Sequence, residues 1–164
     1  MMTKLKPPPF ASSSIAKSIK TSTYDSMDAL SNCNFIIESI VENLDIKKQL
    51  FANIAPYVSD DAILVTNTSG LSIQKIAEHA PEHLRSRIFG VHFFNPPRYM
   101  PLVELIRTSF SDESLLYKAE GFITSALGKE VVYAKDNPAF IANRIGVFSF
   151  LAVLKHAENY SLSA

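Results

Sequence analysis

Glycine is scarce in this chain, and its placement excludes more than its number does. The five glycines are Gly70, Gly90, Gly121, Gly128 and Gly146. No two stand at the spacing of G-x-G-x-x-G, so these 164 residues hold no loop of the kind that cradles a pyrophosphate at the first strand-to-helix turn of a dinucleotide-binding fold. Cysteine occurs once, at Cys33, which excludes an internal disulfide, offers no zinc spacing and fits a reducing compartment. An excess of charge of one sign is also missing. Sixteen basic residues balance sixteen acidic ones, so no overall field favours nucleic acid or an anionic membrane surface. The longest mainly apolar run, Ile145 to Leu154, falls well short of the ~20 residues that span a bilayer, and no charged-then-apolar leader precedes a cleavage site. The chain therefore reads as cytoplasmic, without a membrane span. What is present, 47% hydrophobic and 20% charged residues, is the make-up of one globular domain with a sizeable core.

Residues 1–14 carry Pro7-Pro8-Pro9 and Ser12-Ser13-Ser14, a linker composition; its lysines leave a basic tail or an organelle presequence as lesser alternatives. Beyond it, Ile19 to Thr23 reads as a short strand, Tyr24 to Ser31 as a short helix and Phe35 to Val41 as a buried strand. Asn43 is a plausible cap for a helix whose apolar stripe includes Leu44, Leu50, Phe51 and Ile54. Ala62 to Thr66 has the continuous apolar character of a strand buried on both faces, and Asn67-Thr68-Ser69-Gly70 turns it into a helix from about Ser72 to His79. Ser111 and Asp112 open a further helix that Gly128 closes, Lys129 to Ala134 forms a last strand, and Asn137 with Pro138 opens a final helix. Strands alternating with helices predict right-handed crossovers and a mainly parallel sheet.

The chain is organised around His92 to Leu105. Ile88-Phe89-Gly90-Val91 reads as a buried strand that ends on His92, and Pro96-Pro97 stops it because proline lacks the amide hydrogen a sheet ladder needs. The chain must turn, and it resumes as Leu102 to Ile106, where Glu104 is the one ionisable residue. The two strands can then bring His92 and Glu104 together near the loop. A carboxylate on one imidazole nitrogen fixes the tautomer and stabilises the imidazolium, so the pair suits general acid/base chemistry, although a purely structural pair would look the same in sequence.

This stretch resembles the 3-hydroxyacyl-CoA dehydrogenase family, in which a strand ending in His-Phe-Phe-Asn-Pro precedes a Leu-Val-Glu strand. The resemblance continues through Ile40-Val41-Glu42-Asn43, Asn67-Thr68-Ser69, Lys135-Asp136-Asn137-Pro138 and Phe140-Ile141-Ala142-Asn143-Arg144, and the Asn-Pro-Pro-Arg-Tyr variant is most similar to the dehydrogenase part of bacterial fused fatty-acid oxidation proteins. It implies oxidation of (S)-3-hydroxyacyl-CoA to 3-oxoacyl-CoA with NAD. His92 would be the base and Glu104 its orienter. Val41, Glu42, Asn43, Lys47, Ser69 and Asn95 would face the cofactor, and Ser69 and Asn143 the acyl-CoA substrate. Without the resemblance, Asn67 to Ser69 is an ordinary turn and cap, Glu42 and Lys47 are charges of a solvated helix start, and Asn143 either bonds backbone locally or faces a ligand. His79, His83 and His156 read as solvated surface groups.

Because the glycine loop is absent, the expected fold is a partial Rossmann-like, doubly wound α/β domain over residues 15–137 that lacks the first β-α-β unit, with Met1 falling where a linker follows that unit. Residues 138–164 should form a long helix, apolar on nearly every side, leading towards a missing helical domain or covered by a second copy. The rival expectation is a non-catalytic remnant or binding domain that cannot hold NAD alone.

Overall fold

A computed structural model describes residues 6–8 and 10–160. Its centre is a five-stranded sheet whose order is the order of the chain: β1 (Phe35–Glu38), β2 (Ile63–Thr66), β3 (Ile88–Phe93), β4 (Leu102–Ile106) and β5 (Glu130–Ala134). β1, β2 and β3 run parallel, β3 and β4 antiparallel, and β4 and β5 parallel again. Three helices carry the crossovers: α1 (Leu44–Ile54), α2 (Ile73–His79) and α3 (Glu113–Ser125).

Alternation along the strands sends side chains to two helical layers. Val65, Phe89, Val91, Val103 and Leu105 meet Leu116, Ala119 and Ile123 of α3. Leu64 and Ile88 meet Phe51 and Ile54 of α1 and Ile76 and Ala77 of α2 on the opposite face. Each such large side chain removed from water contributes roughly 1.5–3 kcal/mol, so the two layers outweigh any single polar contact. Gly90 lets α2 approach closely, because a Cβ there would lie 2.8 Å from Cδ1 and Cγ1 of Ile73.

The helix starts are set by side chains that accept the otherwise unpaired first amides. Asn43 accepts from Asp45 and Ile46, Ser72 from Lys75, and Asp112 from Ser114 and Leu115. At the far end of α3, Gly128 takes φ +62°, the left-handed conformation that costs glycine least.

Four local expectations are corrected. Ile19 to Thr23 forms no strand; β1 pairs with β2, and this segment finds no ladder to join among the described residues. The short helix expected at Tyr24 to Ser31 is a 3-10 turn over Asp28–Asn32. β1 ends at Glu38 rather than Val41, where the Glu38 side chain turns back onto the amide of Ile40. The final helix, α4 (Ala142–Asn159), begins four residues after Pro138, because Ala139 and Phe140 both take positive φ, 62° and 46°. For residues with a Cβ that conformation costs roughly 1–2 kcal/mol each, so the surrounding contacts must hold it. The ends of the expected linker and of the expected last helix, residues 1–5 and 161–164, lie outside the described residues.

Helix α4 buries none of its residues: Ile145 is 61% exposed, Phe148 74% and Val153 65%. No helix among the described residues is long and apolar enough to cross a membrane.

Candidate active site

The register of β3 and β4 places His92 directly opposite Glu104. Nδ1 of His92 lies 2.7 Å from Oε2 of Glu104, with both side chains buried. The expected pairing is thus present, and it leaves Nε2 as the imidazole nitrogen that can exchange a proton. The other oxygen of Glu104 accepts the amides of Ile141 and Ala142, each at 2.9 Å. One carboxylate therefore orients the histidine and caps the start of α4. Asn143, half-buried in the first turn of α4, follows directly.

Two aromatic rings complete the setting of the imidazole. Phe94 lies edge-on at 4.7 Å between centroids, and Phe140 is tilted at 5.6 Å. Phe140 reaches that position from the left-handed turn before α4 and is itself buried with Ile73, Ile106 and Ala134.

A second polar cluster sits at the carboxyl ends of β1 and β2. Lys47, expected to be a solvated charge unless a ligand met it, is fully buried and donates to both oxygens of Glu38, at 2.7 and 2.8 Å. Glu38 also accepts from the Thr66 hydroxyl and, at 2.6 Å, from the Ile40 amide. Glu42 lies 3.7 Å from Lys47 through Oε2. Its Oε1 accepts from the Thr68 hydroxyl and from the amides of Ser69, Gly70 and Leu71 at 3.0–3.2 Å. Partial burial opposes the charge on Glu42, but the Thr68 hydroxyl, the Leu71 and Gly70 amides and the Lys47 ammonium outweigh it and hold the carboxyl below its ordinary value. Glu42 thus fixes the shape of the loop that presents Ser69, which is exposed.

In this region Glu38 escaped sequence reading, and Asn67 and Asp136 stood only within motifs of the resemblance, with no role of their own. Glu38 looked like one more position of a strand, and nothing local announces that Lys47, nine residues on, returns to it. The Asn67 carbonyl oxygen accepts the Phe93 amide at 3.1 Å and ties the end of β2 to the segment carrying His92. Asp136 accepts from the Ser72 hydroxyl and the Ile73 and Gln74 amides at 2.7–3.0 Å, fastening the segment before α4 to the start of α2. Only its place in the Lys135-Asp136-Asn137-Pro138 motif of the resemblance hinted at a role for Asp136. Of the remaining expected residues, Val41 and Asn95 are exposed on neighbouring loops, and the Asn43 side chain is taken up in capping α1. His79, His83 and His156 are exposed, as expected. No group of three or more potential metal ligands occurs among the described residues.

The wound sheet with helices on both faces and polar loops at the carboxyl ends of its parallel strands defines a Rossmann-like α/β domain with a buried histidine–carboxylate pair on its antiparallel strands β3 and β4. Comparison with known proteins makes this specific. The chain belongs to the family described as 3-hydroxyacyl-CoA dehydrogenase, NAD binding domain, whose model matches residues 9–137. It is 40% identical over 160 residues to a protein of Rickettsia felis named as a fatty acid oxidation complex trifunctional enzyme, an alignment that covers 97% of this chain and 22% of that protein. Among solved structures, FadB2 of Mycobacterium tuberculosis superimposes with a TM-score of 0.78 at 34% identity, covering 85% of this chain and 48% of that one. The (S)-3-hydroxybutyryl-CoA dehydrogenase PaaH1 of Ralstonia eutropha does so with 0.71 at 36% identity, covering 80% and 45%. The chain spans about one fifth of the first relative's length and about half of each of the two solved ones.

Proposed function

We propose that this chain is the part of an NAD-dependent (S)-3-hydroxyacyl-CoA dehydrogenase that carries the acid–base pair, acting in the cytoplasm on the 3-hydroxy group of an acyl-CoA thioester. The observation that carries the reading is the buried 2.7 Å contact between His92 and Glu104, with Nε2 left for the substrate. Neutral His92 takes the proton of the 3-hydroxyl group, and Glu104 stabilises the imidazolium that results. Ser69 and Asn143 are the donors assigned to the acyl-CoA oxygens.

The residues present fit one half of a dinucleotide. Exposed Ser69 and Asn95 and the partly exposed carboxylate of Glu42 suit the hydroxyl groups of a ribose and an amide, and with Val41 and Asn43 they are the residues that would hold NAD, whereas Lys47, buried against Glu38, would bear on the cofactor only through Glu42. They do not fit a pyrophosphate: the run of amides from Ser69 to Leu71 is filled by Glu42. NAD, when bound, supplies the hydride acceptor.

In this reading residues 15–137 are the cofactor side of the enzyme, and residues 138–164 lead into a helical domain, or meet a second copy, that covers the apolar surface of α4. A decisive assay compares (S)-3-hydroxyacyl-CoA oxidation by the polypeptide carrying this chain with that of its His92→Gln variant. A loss of roughly 10²-fold or more in turnover supports the reading, and unchanged turnover removes His92 from the mechanism.

A further inference from the structure

The segment between β5 and α4 is held at both ends and strained in the middle. Asp136 fastens its start to α2 through three hydrogen bonds, and Glu104 fastens its end by accepting the Ile141 and Ala142 amides. Between these anchors Ala139 and Phe140 adopt successive left-handed conformations, at φ 62° and 46°. Such strain persists only where the surroundings over-determine it, and it gathers where a side chain must be aimed. Here its result is that the Phe140 ring is buried and lies 5.6 Å from the ring of His92.

We propose that Phe140 is a positioning residue for His92: with Phe94 on another side, it holds the imidazole in one rotamer and keeps water from it, while Glu104 holds Nδ1 and Nε2 stays available. The proposal rests on the reading of His92 as the base, but the geometry behind it is independent of that reading. His92 is only 4% exposed although it lies at the end of its strand, next to the exposed loop that begins at Asn95. The hydrogen bond at Nδ1 opposes a flip of the ring about Cβ–Cγ, but it leaves smaller rocking of the ring open. Contacts at its sides remove that freedom, and aromatic rings supply them without competing for Nε2. The Glu104 carboxylate couples the two arrangements, since the oxygen beside the one it offers His92 holds the backbone that follows Phe140.

The chain supplies its own internal reference for a test, because His79, His83 and His156 are exposed. Diethyl pyrocarbonate acylates accessible imidazole nitrogens, and peptide mapping reads the rate at each histidine separately. Phe140→Ala should raise the rate at His92 by about tenfold or more relative to the other three, as expected when a covering group is lost and the site opens locally. Phe140→Leu, which keeps most of the apolar volume and the fold, should give a smaller rise in the same direction. Ile123→Ala, a core truncation on the opposite face of the sheet, should leave the relative rate at His92 unchanged. Ala139→Gly should raise Tm by about 2–4 °C while His92 stays protected, because glycine adopts the left-handed conformation without strain. An unchanged His92 rate in both Phe140 variants, or an equal rise in Ile123→Ala, would overturn the proposal. Loss of turnover plays no part in these readouts, so a failure of His92 as the base would show in the assay of the preceding section and leave this result intact.

Discussion

The structure contains two buried clusters, each built on a carboxylate that meets a basic side chain, with different remainders. Lys47 to Glu38 and His92 to Glu104 both close at 2.7 Å inside the protein. Around Glu38 the acceptor capacity is taken up by Lys47, Thr66 and Ile40. Around Glu104 the carboxylate is shared between a side chain and the start of a helix, and its partner keeps one nitrogen unengaged. The first cluster is complete in itself. The second is complete on the carboxylate side only. A buried pair of ionisable side chains therefore reveals its use less by its distance than by which atoms remain unpartnered once the geometry is satisfied.

Breaking the first pair should have the largest effect. Glu38→Ala leaves the Lys47 ammonium buried and unpaired, which should lower unfolding free energy in urea by about 3–5 kcal/mol, and the double replacement Glu38→Leu with Lys47→Met should recover most of that loss. If the single variant is as stable as the parent, the cluster does not hold the ends of β1 and β2 together. His92→Gln should behave in the opposite way. It should cost roughly 10²-fold in turnover, equivalent to about 2.7 kcal/mol of barrier, while its unfolding free energy in urea stays within about 1 kcal/mol of the parent.

The filled state of the amide run beside Glu42 sharpens the same contrast by ligand binding. Titration calorimetry of the 164-residue chain with NAD should show no saturation at micromolar concentrations, since no G-x-G-x-x-G loop is present and Glu42 already occupies the amides of Ser69 to Leu71. A micromolar dissociation constant would show that the pyrophosphate is held by other means. The smallest effect concerns pH. The folded-state pKa of Glu42 lies below the ordinary 4.5, so its contribution is present well above that value and is lost as pH falls below it. With the Glu42 side chain 43% exposed, solvent screening should keep that contribution under about 1 kcal/mol. Glu42→Gln should flatten the stability curve by that amount between about pH 5 and pH 3, and parallel curves would assign Glu42 no part in holding the loop.

How much of this was legible in the chain itself depended on the distance over which a signal acts. Asn43, Ser72, Asp112 and Gly128 each announce a helix end through their own short-range chemistry, and each stands at or next to the end it marks. His92 and Glu104 could be paired because a strand, a proline stop and a second strand fix their register almost alone. Glu38 was hidden because its partners come from nine and twenty-eight residues away. The start of α4 was misplaced for a related reason. Asn137 and Pro138 form a sound local opening for a helix, but the amides that needed a cap found it in Glu104, on another strand, and the helix starts where that carboxylate reaches. Ile19 to Thr23 had the composition of a strand without a neighbour to pair with, and β-propensity describes fitness for a sheet rather than the presence of one.

The double engagement of Glu104 also has a genetic consequence. A library of substitutions selected for folding and a second selected for the proposed dehydrogenation would both register position 104, whereas at position 92 a conservative replacement such as glutamine would register in the second alone. Suppressors should divide in the same way. Changes that give the start of α4 a new cap, such as Asn at Ala139, two and three residues before the Ile141 and Ala142 amides that Glu104 holds, would rescue Glu104 variants in the folding screen. They would not restore the orientation of His92, so those same double variants would remain silent in the activity screen.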